Sequence, residues 1–178
     1  MSYFNILAET TQSTVVTEYT PDSNRSENYQ SEAELEKEFI SLLCGQGYTY
    51  LPIHHESELI DNLRKQLEKL NNYTFSDNEW QRFFSESIAN SNEHELEKTK
   101  KLQEDHIQVL RRDDGTSKNI ILIDKKDIHN NNLQVINQYV IGKDEGAKHD
   151  NRYDVTVLVN GFPMVHIELK RRGVSIRE

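Results

Sequence analysis

In residues 31–105, apolar and polar residues alternate at helical spacing. Ser31-x-x-Glu34 has the form of a capping box, and the apolar residues after it recur every three or four positions until Gly45. Ser76-x-x-Glu79 repeats the signal. Helices are predicted at about 31–44, 59–72 and 76–88. Residues 90–105 are strongly charged, which fits either an exposed helix or a connector.

From Ile107 onward the period changes to two and β-branched residues dominate. The pattern predicts a sheet in this half of the chain. Its strands are expected at about 107–110, 119–123, 133–141, 153–159 and 164–170. Asp113-Asp114-Gly115 predicts a turn, and residues 142–149 a polar loop. Near the start, apolar residues around 4–7 and 15–19 predict a small hairpin, followed by a turn at 21–28.

Length and composition fit one folded domain, because 178 residues with 35% hydrophobic side chains can bury a core without a disulfide or a structural metal. We expect residues 1–30 to form a peripheral hairpin, 31–105 to be mainly helical and 106–178 to hold the sheet. The single Cys44 cannot form an intramolecular disulfide, and the first residues lack a secretory signal. No apolar run approaches the roughly 20 residues of a membrane span. These features favour a cytoplasmic protein.

The formal net charge of −9 argues at first against a nucleic-acid partner, which needs Lys and Arg for its phosphates. The distribution weakens that objection, since residues 151–178 hold five basic and three acidic residues. Positive charge is therefore concentrated near the last predicted strands. The alternative is an acidic surface that favours solubility, with the basic residues simply solvated.

The alternation of apolar and polar residues in the last two strands predicts how the two strands pair. Their buried face requires one set of apolar residues on each strand to lie on the same side. These residues are Val155, Val157 and Val159 on one strand and Val165, Ile167 and Leu169 on the other. A two-residue loop would put Val155 opposite His166, so we predict an odd loop, for example Val159-Asn160-Gly161 with a bulge.

With the apolar residues buried, Asp154 is expected on the opposite face together with His166, Glu168 and Lys170. Two carboxylates suit Mg²⁺, which takes hard oxygen ligands, commonly one or two carboxylates with waters and a phosphate. Such an ion lowers the pKa of water and stabilises charge on a phosphate, and Lys170 is placed to orient that water or neutralise charge. The alternative is a solvent-exposed hairpin face with Glu168 and Lys170 as a surface pair, worth under about 1 kcal/mol.

The run NRYDVTVLVNGFPMVHIELKRRGVSIRE resembles the nuclease motif of the R (restriction and motor) subunit of type I restriction-modification enzymes, members of the PD-(D/E)xK superfamily. The segments SEAELEKEFISLLCGQGYTYL, DNEWQRFF and NIILIDKKDIHNNNLQVINQY are also similar. The resemblance covers nearly all of the chain from about Gln30. Tyr153 stands where the superfamily's name has proline.

This resemblance implies an α/β (α+β) fold, a mixed central sheet flanked by helices with a restriction-endonuclease-like core. It further implies hydrolysis of double-stranded DNA with Mg²⁺ as cofactor, for which Mn²⁺ can substitute. Asp154 and Glu168 would bind the metal with the backbone carbonyl of Leu169, and Lys170 would be catalytic. Glu38 borders the buried face of the first helix, as a further ligand or a plain helix-border glutamate. Candidate DNA-binding residues are Arg152, Arg171 and Arg172.

Two parts of the family pattern do not occur in this sequence. They are the Gln-x-x-x-Tyr helix that follows the lysine and the ATP-driven motor, whose P-loop motif is missing. We therefore expect a truncated piece of a subunit whose ATP use belongs to the motor and whose partners are methylation and specificity subunits. Two other hypotheses remain, an inactive docking module and a repair nuclease of the same superfamily.

Overall fold

The computed structural model describes the backbone of residues 3–9, 15–20, 31–141 and 151–170, and side chains within 31–139 and 153–170. The chain divides into two units, residues 1–30 and 31–178. In the first unit, β1 (Tyr3–Glu9) and β2 (Val15–Thr20) pair antiparallel, with an irregularity between Ile6 and Ala8. The predicted hairpin is confirmed. The turns predicted at 21–28 and 142–149 lie outside the described residues.

The second unit contains four α-helices in its described part. They are α1 (Glu32–Gly45), α2 (Glu56–Asn71), α3 (Asp77–Phe83) and α4 (Glu95–Gln103). Ser31 and Ser76 are N-caps with both hydrogen bonds of a capping box, so the predicted starts of α1 and α3 are confirmed. After Phe83 the chain continues as a π-helical turn, and the charged stretch near 95–103 is helical. No described helix is long and apolar enough to cross a membrane.

Four strands form the central mixed sheet, in the order β3-β6-β7-β8. Their bounds are Thr49–Tyr50, Leu133–Ile141, Asn151–Val159 and Phe162–Ile167. β3 runs parallel to β6, and the other pairs are antiparallel. The first two strands of the predicted sheet, β4 (Ile107–Arg111) and β5 (Ser117–Ile121), form a separate two-stranded sheet instead. The tight turn at Gly115 folds them onto each other, and they pack against α2 and α3.

Helices cover both faces of the central sheet. On one face, Leu43 of α1 packs with Val135 and Val155. On the other, Leu59 at the start of α2 packs against Ile136 and Leu158. The second half of β7 is therefore buried on both sides, which accounts for the valines and leucine of its sequence VTVLV. This arrangement confirms the expected fold class, a mixed sheet flanked by helices.

A third apolar cluster lies where α2 and α3 meet the β4–β5 sheet. Its buried members are Leu63, Leu67, Phe75, Trp80, Phe83, Leu110, Ile120, Leu122 and Phe162. Phe162 is the first residue of β8, so this cluster also contacts the turn of the last hairpin. The hairpin is thus attached to the helical part of the fold at its turn.

The turn between β7 and β8 differs from the predicted odd loop. Val159 pairs with Phe162, and the two residues between them have φ values of 51° at Asn160 and 84° at Gly161, a geometry that matches right-handed strand twist. The extra residue lies in β8 instead, because the register shifts between Val157 and Leu158 and leaves Met164 unpaired. Val155 consequently pairs with Ile167, so the predicted face is correct although the predicted loop is wrong.

Alanine substitution at Gly161 and Gly115 separates backbone strain from packing. Both glycines have positive φ, 84° and 81°, but a Cβ at Gly161 would lie 2.7 Å from the Leu63 Cα, whereas one at Gly115 meets nothing within 4 Å. We expect each change to cost about 1–2 kcal/mol of backbone strain. Gly161→Ala should cost about 1–3 kcal/mol more through overpacking. Urea unfolding measures both, and equal losses would contradict the close approach to Leu63.

Candidate active site

The end of β8 brings the predicted catalytic residues next to β7. β8 ends at Ile167, so Glu168–Lys170 leave the ladder instead of continuing the strand to 170 as predicted. Because Ile167 pairs with Val155, the strand ends one position before it would reach Asp154. The backbone N–H of Leu169 donates a hydrogen bond of 2.7 Å to Asp154 Oδ2. The chain therefore leaves the sheet by closing onto the Asp154 carboxylate.

Glu168 and Lys170 form an ion pair beside this contact. Lys170 Nζ donates to Glu168 Oε1, and the two side chains are 42% and 64% exposed for Lys170 and Glu168. The hydrogen bond to Glu168 is the main reason that the pKa of Lys170 is raised, and the charges of Glu32 and Asp154 raise it further. Three carboxylates thus act on one ammonium group. The effect of Glu32 on Lys170 was not predicted, because the sequence does not indicate which distant residues the first turn of α1 will approach.

The alternation of side chains is interrupted next to Asp154. Ile136 and Tyr139 on β6 belong to the same apolar cluster, although residues three apart on a regular strand face opposite sides. Between them, Gln138 has a φ of 53°. The ladder pairs Asn137 with Val155 and Tyr139 with Tyr153, which places Gln138 opposite Asp154. At this pair the alternation of side chains between the two faces of the sheet shifts by one residue in both strands, which we call the phase change.

The same phase change separates His166 from the predicted cluster. The His166 ring stacks on Tyr153, with centroids 4.1 Å apart, and its Nδ1 is hydrogen-bonded to Thr156 Oγ1 at 3.0 Å. His166 thus shares a face with two residues that are three apart on β7. The expectation that His166 and Asp154 lie side by side is wrong, because it assumed unbroken alternation. Burial lowers the pKa of His166, which favours the neutral ring.

The remaining predicted site residues are Glu38 and three arginines. Glu38 lies on the exposed side of α1. The backbone of Arg152 pairs with Val140 in the β6–β7 ladder, but its side chain, like the whole of Arg171 and Arg172, is outside the described residues. Over the part of the chain that is described, no three His, Cys, Asp or Glu side chains gather as a metal group. The oxygen donors near the strand end are two carboxylates and the Leu169 backbone.

A second polar group lies on α1 beside β6. The Glu36 carboxylate accepts hydrogen bonds from Asn137 Nδ2, at 2.7 Å, and from Gln138 Nε2. Tyr50 on β3 donates to Asn137 Oδ1 at 2.9 Å. Sequence reasoning missed this group, although two adjacent amides inside the apolar run VINQYV were a signal that the strand is irregular there.

The mixed sheet and its flanking helices form an α+β fold of the restriction-endonuclease-like type. Residues 29–178 match the family described as type I restriction enzyme R protein N terminus. The chain belongs to this family.

Three similar proteins are endonuclease subunits of type I restriction enzymes. The chain is 43% identical over 173 residues to the type I restriction enzyme EcoprrI endonuclease subunit of Escherichia coli, covering 97% of this chain and 54% of that protein. It is 36% identical over 155 residues to the type I restriction enzyme SsaAORF53P endonuclease subunit of Staphylococcus saprophyticus, covering 84% and 16%. A Staphylococcus aureus (strain MSSA476) subunit, SauMSSORF170P, is 35% identical with the same coverage. The chain thus spans about half of the first relative's length and much less of the others.

The order of influences on Lys170 can be tested by titration. We expect the pKa of Lys170 to fall most in Glu168→Gln, which removes both the ion pair and its charge, and less in Glu32→Gln and Asp154→Asn. Carbon-13 NMR of the lysine side chain follows the ionisation directly. An unchanged Lys170 pKa in Glu168→Gln would contradict the ion pair, and an unchanged value in Glu32→Gln would contradict the approach of α1.

Proposed function

We propose that this chain carries the Mg²⁺-dependent nuclease site of a type I restriction R subunit and hydrolyses phosphodiester bonds of double-stranded DNA. The observation that carries the proposal is the closure of the β8 end onto Asp154, with Glu168 and Lys170 directly flanking Leu169. These are the residues that the family resemblance assigned to the metal and to catalysis. Family membership supports the same activity.

The residues at the strand end fit a hard divalent cation. Each carboxylate has two oxygens, and the described hydrogen bonds use Oδ2 of Asp154 and Oε1 of Glu168. The second oxygens and the Leu169 carbonyl supply the donor type that Mg²⁺ prefers, and waters and a DNA phosphate complete its usual shell. All three donors lie within the short segment where β7 and β8 meet.

When bound, Mg²⁺ supplies positive charge at the scissile phosphate and lowers the pKa of water. Asp154 and Glu168 would hold the ion, and the Leu169 N–H fixes the orientation of the Asp154 carboxylate. Lys170 presents its protonated amine to charge that develops on the phosphate, and the nearby carboxylates that raise its pKa favour this charged form further. Glu32 adds negative charge on the α1 side of that amine and favours its protonated form.

The proposal also covers the location of the protein, its motor domains and its partner subunits. We infer that the chain acts in the cytoplasm as part of a longer subunit with ATP-dependent motor domains. Methylation and specificity subunits are the proposed partners, and they would select the DNA. Arg152, Arg171 and Arg172 are the proposed contacts to DNA phosphates near the site.

One observation favours the alternative of an inactive docking module. Glu168 is 64% exposed and already paired with Lys170, an arrangement that an ordinary surface ion pair would also have. A repair nuclease of the same superfamily would share the metal site, and only its partners would differ. Metal binding therefore separates an active site from a docking module.

Calorimetric titration with Mn²⁺ tests the metal site. We expect saturable binding by the chain that weakens by roughly tenfold or more in Glu168→Ala and Asp154→Asn, because each loses a ligand. Glu104→Ala is a matched control, since Glu104 is 63% exposed and pairs with Lys100 much as Glu168 pairs with Lys170. Equal binding by all four proteins, or none by the unmodified chain, would support the docking module instead.

Cleavage by the complete enzyme tests the lysine. In the full R subunit assembled with its partner subunits, Lys170→Ala should slow DNA cleavage by roughly 10²–10³-fold, the usual loss when one group that stabilises transition-state charge is removed. ATP hydrolysis should remain, because the proposed motor lies elsewhere in the subunit. Cleavage at the unmodified rate would contradict the role of Lys170, and joint loss of both activities would indicate misassembly.

A further inference from the structure

Two adjacent amides occupy the middle of the buried strand β6. Asn137 and Gln138 lie between Ile136 and Tyr139, both of which are buried. Each amide donates to a different oxygen of the Glu36 carboxylate, Asn137 Nδ2 to Oε1 at 2.7 Å and Gln138 Nε2 to Oε2. Glu36 is partly buried on α1, so the carboxylate connects this helix to two successive residues of one strand.

A regular strand cannot present two successive side chains to the same helix, because neighbouring side chains point to opposite faces. The φ of 53° at Gln138 provides the change of phase. Positive φ is unfavourable for residues other than glycine and persists only where surrounding contacts stabilise it. The Glu36 carboxylate, with its charge-assisted hydrogen bonds, is such a contact.

The change of phase is transmitted to β7 at Asp154. Gln138 lies opposite Asp154, and on either side of this pair the ladder is intact. In a regular strand Asp154 would share the face of Thr156 and of His166, to which Thr156 is hydrogen-bonded. Instead Tyr153 takes that face and stacks on His166. The Asp154 carboxylate accepts from Leu169 N, and the Leu169 side chain packs in the apolar cluster beneath α1.

We propose that Glu36 and Gln138 are positioning residues for Asp154. Glu36 holds the left-handed conformation of Gln138, and this conformation turns Asp154 toward the end of β8, away from the His166 face. The role in metal binding rests on the proposed function, whereas the structural effect on Asp154 does not. Neither residue is assigned contact with metal or DNA, so both would act through β6.

Hydrogen exchange at the Leu169 amide reports the position of Asp154 without metal or activity, because that amide donates to the Asp154 carboxylate. NMR of the chain should show protection that is lost in Asp154→Ala. We expect Glu36→Ala and Gln138→Val to reduce it at least tenfold, the latter because a β-branched residue strongly disfavours positive φ. Gln138→Gly, which adopts positive φ without strain, should retain more protection than Gln138→Val.

A matched control separates positioning from general loss of stability. Asn71→Ala removes the hydrogen bonds between the Asn71 side chain and the backbone of Leu67 and Ile121, which lie beside the third apolar cluster and outside the Glu36 group. It should lower the unfolding free energy while Leu169 protection falls no more than that of neighbouring β7 amides. Glu36→Gln keeps one acceptor oxygen and should retain part of the protection that Glu36→Ala loses.

Mn²⁺ affinity, measured on the same variants, distinguishes the two proposals. Weaker Mn²⁺ binding together with reduced Leu169 protection in Glu36→Ala and Gln138→Val is the expected result. Protection within twofold of the unmodified chain in both variants would overturn the positioning role. If protection falls in both variants but the unmodified chain binds no Mn²⁺, the positioning role stands and the proposed metal site fails.

Discussion

The pairing of β7 with a neighbour on each side is the constraint on which the rest of the site depends. Its two faces are covered by helices, so its register cannot slip without exposing buried side chains. Asp154 lies in the first half of this strand, beside the residues that follow the end of β8. The carboxylate is thus held by a rigid sheet, which gives a binding group better precision than a loop would.

The elements that were predicted correctly are those that local chemistry specifies. Capping boxes at Ser31 and Ser76 mark helix starts because the interacting groups are three residues apart. Strands followed from β-branched alternation, and the facing of Val155 and Ile167 followed from the need to bury both. In the structure the Leu169 backbone meets Asp154 and Lys170 pairs with Glu168, while the metal-binding and catalytic roles that the resemblance implied stay predictions.

The features that were missed depend on contacts between distant segments or on a shift of one residue. A bulge at Met164 and an odd loop give the same facing of Val155 and Ile167, so polarity alone cannot choose between them. The phase change at Gln138 requires Glu36, which comes from a helix far earlier in the chain. Without knowledge of that contact, regular alternation places Asp154 and His166 on the same face. The effect of Glu32 on Lys170 also depends on a residue of α1 that is distant in sequence, so it was not predicted either.

The two hairpin turns at Gly115 and Gly161 look interchangeable in sequence but differ in their surroundings. Asn160 is 1% exposed and donates to Leu122 O and Asn131 Oδ1, while its own Oδ1 accepts from Asn132 N. Gly161 lies against the backbone of α2, whereas Gly115 faces open space. A fluorophore or affinity tag placed at Gly161 would therefore disturb the packing against α2, whereas the β4–β5 turn has open space around Gly115. The tip of the last hairpin is a buried contact between the central sheet and α2.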